Sequence, residues 1–324
     1  MKFKTIPMVL VLTFLLSAVS GSANQKTNEP ATRAVELLKQ AREAIGGDEK
    51  LHEVQSLSAR ATFRRTMTGD DFVMSGEVTL DFLLPDKFMK SETLNGPEGT
   101  GPTMVQTLNG DREWSDVKSN GPGVFMTYGQ GPEADKNAEA DRVKDIRQEF
   151  ARYLLVFLLR SPPSSQPVEF IYAGEAEAED GRADVLDIKS AEGFAARLFL
   201  DQQTHLPLMI SFSTKISVIA FRQFQGPAQE PKGGLVTRAQ VPASNDQLKG
   251  NPPPGVRLAQ PELRQVQIEL RFSDYRAVEG LLLPHRIHQR TGEDLTEEWQ
   301  MKKYQLNPLL KPEKFQKKDE RRAN

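Results

Sequence analysis

Two stretches, SGEVTLDFLLP and QVQIELRF, alternate apolar and polar residues with a period of two, and that period limits the fold more than any other feature of the chain. In the first, Val78, Leu80, Phe82 and Leu84 alternate with Glu77, Thr79 and Asp81. In the second, Val266, Ile268, Leu270 and Phe272 alternate with Gln265, Gln267, Glu269 and Arg271. Successive side chains of a strand point to opposite faces, so each stretch is a strand with one dry face and one wet face. VEFIYAGEAEAEDGRADVLDIKS and RLFLDQQTHLPLMISFSTK add further strands. Turn signals punctuate them at Pro85-Asp86, Asn109-Gly110, Asp180-Gly181 and Glu279-Gly280, with Trp114 on the strand that returns from the second. At the usual five to ten or so residues per strand, the chain holds one antiparallel sheet of about ten strands.

Two segments break the period. Ala34, Leu37, Leu38, Ala41 and Ile45 recur at three and four, which predicts a helix near 31–46 that Gly46-Gly47 stops. A second helix is expected between Ala134 and Arg160, with Val143, Ile146, Phe150, Leu154, Phe157 and Leu158 along one stripe. Its first sixteen residues carry nine charges, whereas its end, YLLVFLL, is apolar all round. A helix apolar on every side has to be covered. Its C-terminal half is therefore either ordinary core or a lid over the sheet that an apolar ligand can displace. A sheet this wide curls, and its apolar face needs such a cover.

The start of the chain bears on its address. Lys2 and Lys4 precede an apolar run from Met8 to Val19 and a small-residue exit, Gly21-Ser22-Ala23, the layout of a secretory signal peptide cut after Ala23. The run holds twelve residues, against the roughly 20 that a membrane-spanning helix needs. Without those 23 residues, 40 basic side chains face 44 acidic ones, a balance that does not attract nucleic acid. The absence of cysteine excludes disulfides, thiolate metal sites, thiol nucleophiles and an acylated lipoprotein cysteine. Residues 226–262 hold seven prolines and five glycines and read as an irregular insertion, and residues 317–324 as a charged tail.

No catalytic grouping emerges. His285 and His288 are three apart on a strand and point to opposite faces, so they cannot converge on a metal. Neither a serine elbow, a phosphate loop nor a dinucleotide fingerprint occurs, and most of the acidic pairs, among them Asp70-Asp71 and Glu297-Glu298, are expected in turns or on outward strand positions. No cofactor is expected.

The order SLSARATFRR, GEVTLDFLLPDKFMKSE, TLNGDREW, with Gly76, Pro85, Phe88, Asn109-Gly110 and Trp114, resembles the opening of LolA/LolB-like periplasmic proteins, the lipoprotein carrier family. ARLFLDQQTHLPLMISF and FSDYRAVEGLLLPHRI, with Leu206-Pro207 and Leu283-Pro284, resemble its later strand pairs, and YQLNPLLKPEKF its closing strand. The pattern covers most of 33–225 and 263–316. The 226–262 insertion departs from it, and Arg60, Arg64 and Arg65 match only loosely the family's lid-contacting arginine. The resemblance implies an α+β fold, mainly antiparallel β: a strongly curved, unclosed β-barrel capped by helices, exported to the periplasm, whose hollow receives acyl chains.

The expected ligand-binding residues are Val78, Leu80, Phe82, Trp114, Leu198, Leu200, Ile210, Phe212, Ile268, Leu270 and Phe272 on the wall, with Phe150, Leu154 and Phe157 from the lid. The expected function is a non-enzymatic carrier for a lipid or the acyl chains of a lipoprotein, in contact with envelope proteins. The alternative is a structural or regulatory envelope module that binds a protein partner and fills the hollow with its own side chains.

Overall fold

The structure is a computed structural model and describes residues 29–67, 73–96, 101–118, 136–160, 167–178, 181–218, 262–293 and 295–317. The expected signal peptide, nearly all of the 226–262 insertion and the end of the tail lie outside them. Glu29–Ile45 forms α1 and Asp48–Glu53 forms α2. Five strands follow: β1 (Ser56–Met67), β2 (Val73–Leu83), β3 (Lys87–Leu94), β4 (Thr103–Asn109) and β5 (Arg112–Lys118). The long helix α3 spans Lys136–Leu158. Seven more strands complete the chain: β6 (Glu169–Ala178), β7 (Gly181–Lys189), β8 (Ala195–Asp201), β9 (Pro207–Val218), β10 (Glu262–Val278), β11 (Leu281–Thr291) and β12 (Leu295–Leu306). A 3-10 turn, Pro312–Phe315, follows β12.

All twelve strands join one antiparallel sheet in the order β5-β4-β3-β2-β1-β12-β11-β10-β9-β8-β7-β6. Each half is a meander, and the first and last strands meet in the middle, with Phe63 opposite Trp299 and Arg65 opposite Glu297. Among the described residues β5 and β6 are the two edges of the sheet, which curves without closing. The expectation of about ten strands is low by two. β10 begins at Glu262, inside the stretch read as insertion, and runs unbroken through 278. The strand runs on through Asp274, at φ 57°, with its register against β11 the same on both sides, Ser273 opposite Arg286 and Tyr275 opposite Pro284.

The turns follow from residues that tolerate positive φ. Glu279 (49°) and Gly280 (88°) link β10 to β11, and the Gly46-Gly47 stop sits against that same turn. A Cβ on Gly46 would lie 2.6 Å from the Gly280 carbonyl oxygen, so α1 can dock there only with glycine at its end. The closing 3-10 turn buries Phe315 and sends Lys314 Nζ to within 2.8 Å of Asp81, which is buried on β2.

One continuous core results. It joins the apolar face of α1, the inward rows of the sheet and the C-terminal half of α3. Every residue from Phe150 to Leu159 is buried. α3 packs on β4 and β5 at one side of the concave face and on β9 at the other, so it roofs the trough between the two meanders.

Candidate site: the seam between the long helix and the concave sheet

Eleven of the expected wall and lid residues, Val78, Leu80, Phe82, Phe150, Leu154, Phe157, Leu198, Leu200, Ile210, Leu270 and Phe272, lie together in the buried core. Phe212 and Ile268 pack on it half-buried. Trp114 sits on edge strand β5, half-buried and outside that core. Hairpin alternation placed it on a returning strand, but gave no sign that the strand would be an edge.

The interior is aromatic where α3 meets the first meander. Phe82 and Phe88 stack on Phe150 with ring centroids 6.0 and 5.7 Å away, and Phe157 meets Phe82 edge-on at 6.2 Å. Tyr153 stacks on Trp299 at 6.1 Å, and Tyr304 stands edge-on to Phe157 at 5.9 Å. Such pairs each add about 0.5–1.5 kcal/mol beyond area burial. The rings of Tyr153, Trp299 and Tyr304 escaped the sequence reading. In TEEWQMKKYQL the inward row is Glu297, Trp299 and Met301, a period partly hidden by an inward carboxylate and by a register shift of β12 against β1 between Arg60 and Ala61.

Charged groups line one end of this interior. Arg65 reaches from β1 to Glu92 on β3 (2.9 Å) and to Glu297 on β12 (2.6 Å). Glu297 in turn accepts a short hydrogen bond from Trp299 Nε1. Lys90 on β3 points at Glu149 of α3 at 3.0 Å. Burial alone would lower the Lys90 ammonium, but Glu149, Tyr153 and Glu92 outweigh it and hold the group well above the ordinary lysine value. Arg60 and Arg64 point outward and are exposed, so of the three arginines near this position only Arg65 faces the interior.

α3 is anchored differently at its two ends. Its charged half is tied by Lys90–Glu149, by Arg142–Glu113 at 2.6 Å, and by Arg147, which donates to the Gly110 carbonyl at 3.1 Å. Its apolar end is pinned in the core. There Arg42 of α1 donates to the Leu159 carbonyl at 3.0 Å, and Arg160 donates to the Val54 carbonyl at 2.8 Å. Leu159 takes φ 45°, a left-handed stop.

At the middle of the helix, Arg152 is buried between Phe212, whose ring centroid is 3.8 Å away, and Phe194 at 5.7 Å. The sequence hints at it only as a lone charge in FARYLLVFL.

His285 and His288 diverge as strand geometry requires: His285 packs against the Tyr304 ring, while His288 is exposed opposite Glu298. Among the described residues no three His, Cys, Asp or Glu side chains cluster as a metal site, and no helix is long and apolar enough to cross a membrane.

No family model and no curated protein sequence matches the chain. Among solved structures it is similar to a LolA superfamily protein from Nitrosomonas europaea (11% identity, 88% of this chain and 97% of that one, TM-score 0.44). It is also similar to a DUF1329 family protein from Desulfovibrio piger (10%, 89% and 97%, TM-score 0.43). A third is a putative outer membrane lipoprotein-sorting protein domain from Vibrio parahaemolyticus (13%, 88% and 97%, TM-score 0.43). Likeness of this degree fixes neither family nor function.

Proposed function

We propose that the protein is an exported, non-enzymatic binding protein that takes up a lipid, or the acyl chains of a lipoprotein, between α3 and the concave face of its sheet. The unequal anchoring of α3 carries this reading. Its charged half is held by the Lys90–Glu149 and Arg142–Glu113 ion pairs, the Arg147 hydrogen bond to Gly110 and a long one from Gln148 to the Gly193 carbonyl at 3.5 Å, each contributing on the order of 1 kcal/mol or less, together with the apolar contacts of Ile146 and half-buried Val143. Its apolar half is buried on all sides and pinned at 159–160. An apolar guest contributes about 0.8 kcal/mol per buried methylene, so a chain of ten carbons supplies roughly 8 kcal/mol, enough to offset the release of the charged half. The helix then swings on its buried end and a guest takes its place against β3, β4 and β9.

The close stacking of Phe82, Phe88 and Phe150 favours a second reading, an envelope module whose interior is filled for good and which acts by binding a protein partner. One experiment separates the two. The chain has no cysteine, so Lys90→Cys with Glu149→Cys, bridged by a short bis-maleimide, fastens α3 to β3 specifically. A fluorescent fatty acid should enter the unbridged protein and be shut out of the bridged one. Uptake by neither form, or equal uptake by both, defeats the displaceable helix.

A further inference from the structure

We propose that Arg152 anchors the anionic head group, a carboxylate or a phosphate monoester, of a single-chain amphiphile held beneath α3. This rests on the reading of the seam as a guest site and adds the chemical class of guest.

Among the described residues, Arg152 is the only buried lysine or arginine, at 7% exposure. A buried cation normally has a carboxylate partner, because an unpaired charge away from water is costly. The partly buried Lys90 and Arg65 both follow that rule. Arg152 does not. Among the described residues no carboxylate lies within 4 Å of it, its Nη2 donates to the neutral Gln148 Oε1 at 3.0 Å, and its Nε–H is buried with no acceptor. Glu149, one turn back along the helix, pairs with Lys90, and it and Asp145 favour the Arg152 charge through space without reaching ion-pair distance.

The guanidinium is also held ready. It lies flat enough on Phe212 for a centroid distance of 3.8 Å, with Phe194 behind it, and two aromatic faces restrict its motion without using its N–H groups. Burial lowers its pKa to about 10, so at neutral pH the group keeps its charge. Phe212 is half-buried, which leaves the approach to the guanidinium from the β9 side covered by one ring. A planar fork with an open donor recognises two oxygens of a carboxylate or phosphate, whereas a neutral alcohol head offers nothing that replaces the missing charge. The apolar remainder of such a guest would follow the α3 seam past Ile210 and Leu270.

The test is displacement of a neutral fluorescent apolar probe from the purified protein by three ligands of equal chain length: hexadecanoic acid, hexadecyl phosphate and hexadecanol. At least one anion should displace the probe at a concentration about tenfold or more below the alcohol, the size of effect one charge-assisted contact gives. The better of the two names the head group. Arg152→Met should abolish the gap while the alcohol still displaces, and Arg152→Lys should keep part of it. Equal displacement by all three ligands in the unaltered protein, or a gap that survives Arg152→Met, overturns the head-group role and leaves the carrier reading standing. No displacement by any ligand defeats the carrier reading and this inference with it. If Arg152→Met does not fold, Arg152→Lys takes its place, and a gap as large in that variant as in the unaltered protein overturns the head-group role.

Discussion

Lys90 Nζ lies 3.0 Å from Glu149 Oε1, and this one contact joins the third strand of the sheet to the middle of the helix that covers it. Burial alone would lower the Lys90 ammonium, but its acidic surroundings hold it well above the ordinary lysine value. Burial also holds the phenols of Tyr153, Tyr275 and Tyr304 above theirs. All four groups keep a proton in the folded protein at a pH where the unfolded chain loses it. Their contribution is therefore complete below the unfolded values near 10 and is lost as pH rises toward the folded ones. Urea unfolding from neutral pH to about pH 11 should show a plateau, then a fall of about 1.4 kcal/mol per pH unit for each group that titrates only when unfolded. Lys90→Met should shallow that slope. A profile that stays level to about pH 11 is incompatible with these burials.

Arg65 holds two buried carboxylates at once, Glu92 and Glu297. Arg65→Met should cost about 3–5 kcal/mol, because each acid is left without its counter-charge. Adding Glu92→Gln and Glu297→Gln should recover most of that loss, since a buried amide needs no counter-charge and the amide oxygen introduced by Glu297→Gln can still accept from Trp299. Equilibrium denaturation of the single and triple variants reads both numbers. A triple variant weaker than the single one would show that the arginine matters for packing along its stem instead of for its charge.

Gly76 faces the ring of Phe63 across the β1–β2 pair. A Cβ placed there would lie 2.7 Å from two ring carbons and 2.1 Å from the Thr93 carbonyl oxygen. Gly76→Ala should therefore destabilise by about 1–3 kcal/mol, the usual cost of overpacking. In the Phe63→Ala background the ring clash disappears and only the Thr93 contact remains, so the added cost of Gly76→Ala should shrink. Thermal melts of the two singles and the double measure that coupling. Strict additivity would place the strain entirely on Thr93.

These residues show what could be read beforehand and what could not. Val78, Leu80 and Phe82 follow a strict period of two and are buried as expected, and Asn109-Gly110 and Glu279-Gly280 both make their turns. Local rules sufficed because the strand pleat and positive φ are properties of neighbouring residues. The run Glu297, Trp299, Met301 was less legible: Arg65, 232 positions away, makes the inward carboxylate tolerable, and such a partner leaves no mark on local periodicity. Trp114 had the right hairpin, but its burial depended on whether β5 gained another neighbour. Arg152, next to the apolar run YLLVFLL, was not singled out at all, because its rings come from residues 194 and 212, brought beneath the helix only by the second meander.

Phe157 and Val143 lie in the two unlike halves of α3, and their truncation separates core from cover. Phe157 is fully buried, with Phe82, Tyr153 and Tyr304 ring centroids 6.2, 6.0 and 5.9 Å away. Phe157→Ala should cost about 3–5 kcal/mol, as deletion of a buried ring does, and any loss of guest uptake should track the unfolded fraction. Val143 is half-buried in the half held by ion pairs, so Val143→Ala should cost only about 1 kcal/mol. That smaller cost falls on the closed position of the helix and leaves the wall beneath it intact. If the charged half opens, Val143→Ala should take up a fluorescent fatty acid faster than the unaltered protein, by about fivefold for each 1 kcal/mol removed from the closed state. Stopped-flow uptake beside a denaturation curve gives both quantities on one preparation. An uptake rate unchanged by Val143→Ala, with the expected loss of stability present, would mean that the guest enters by a route that does not lift this half of the helix.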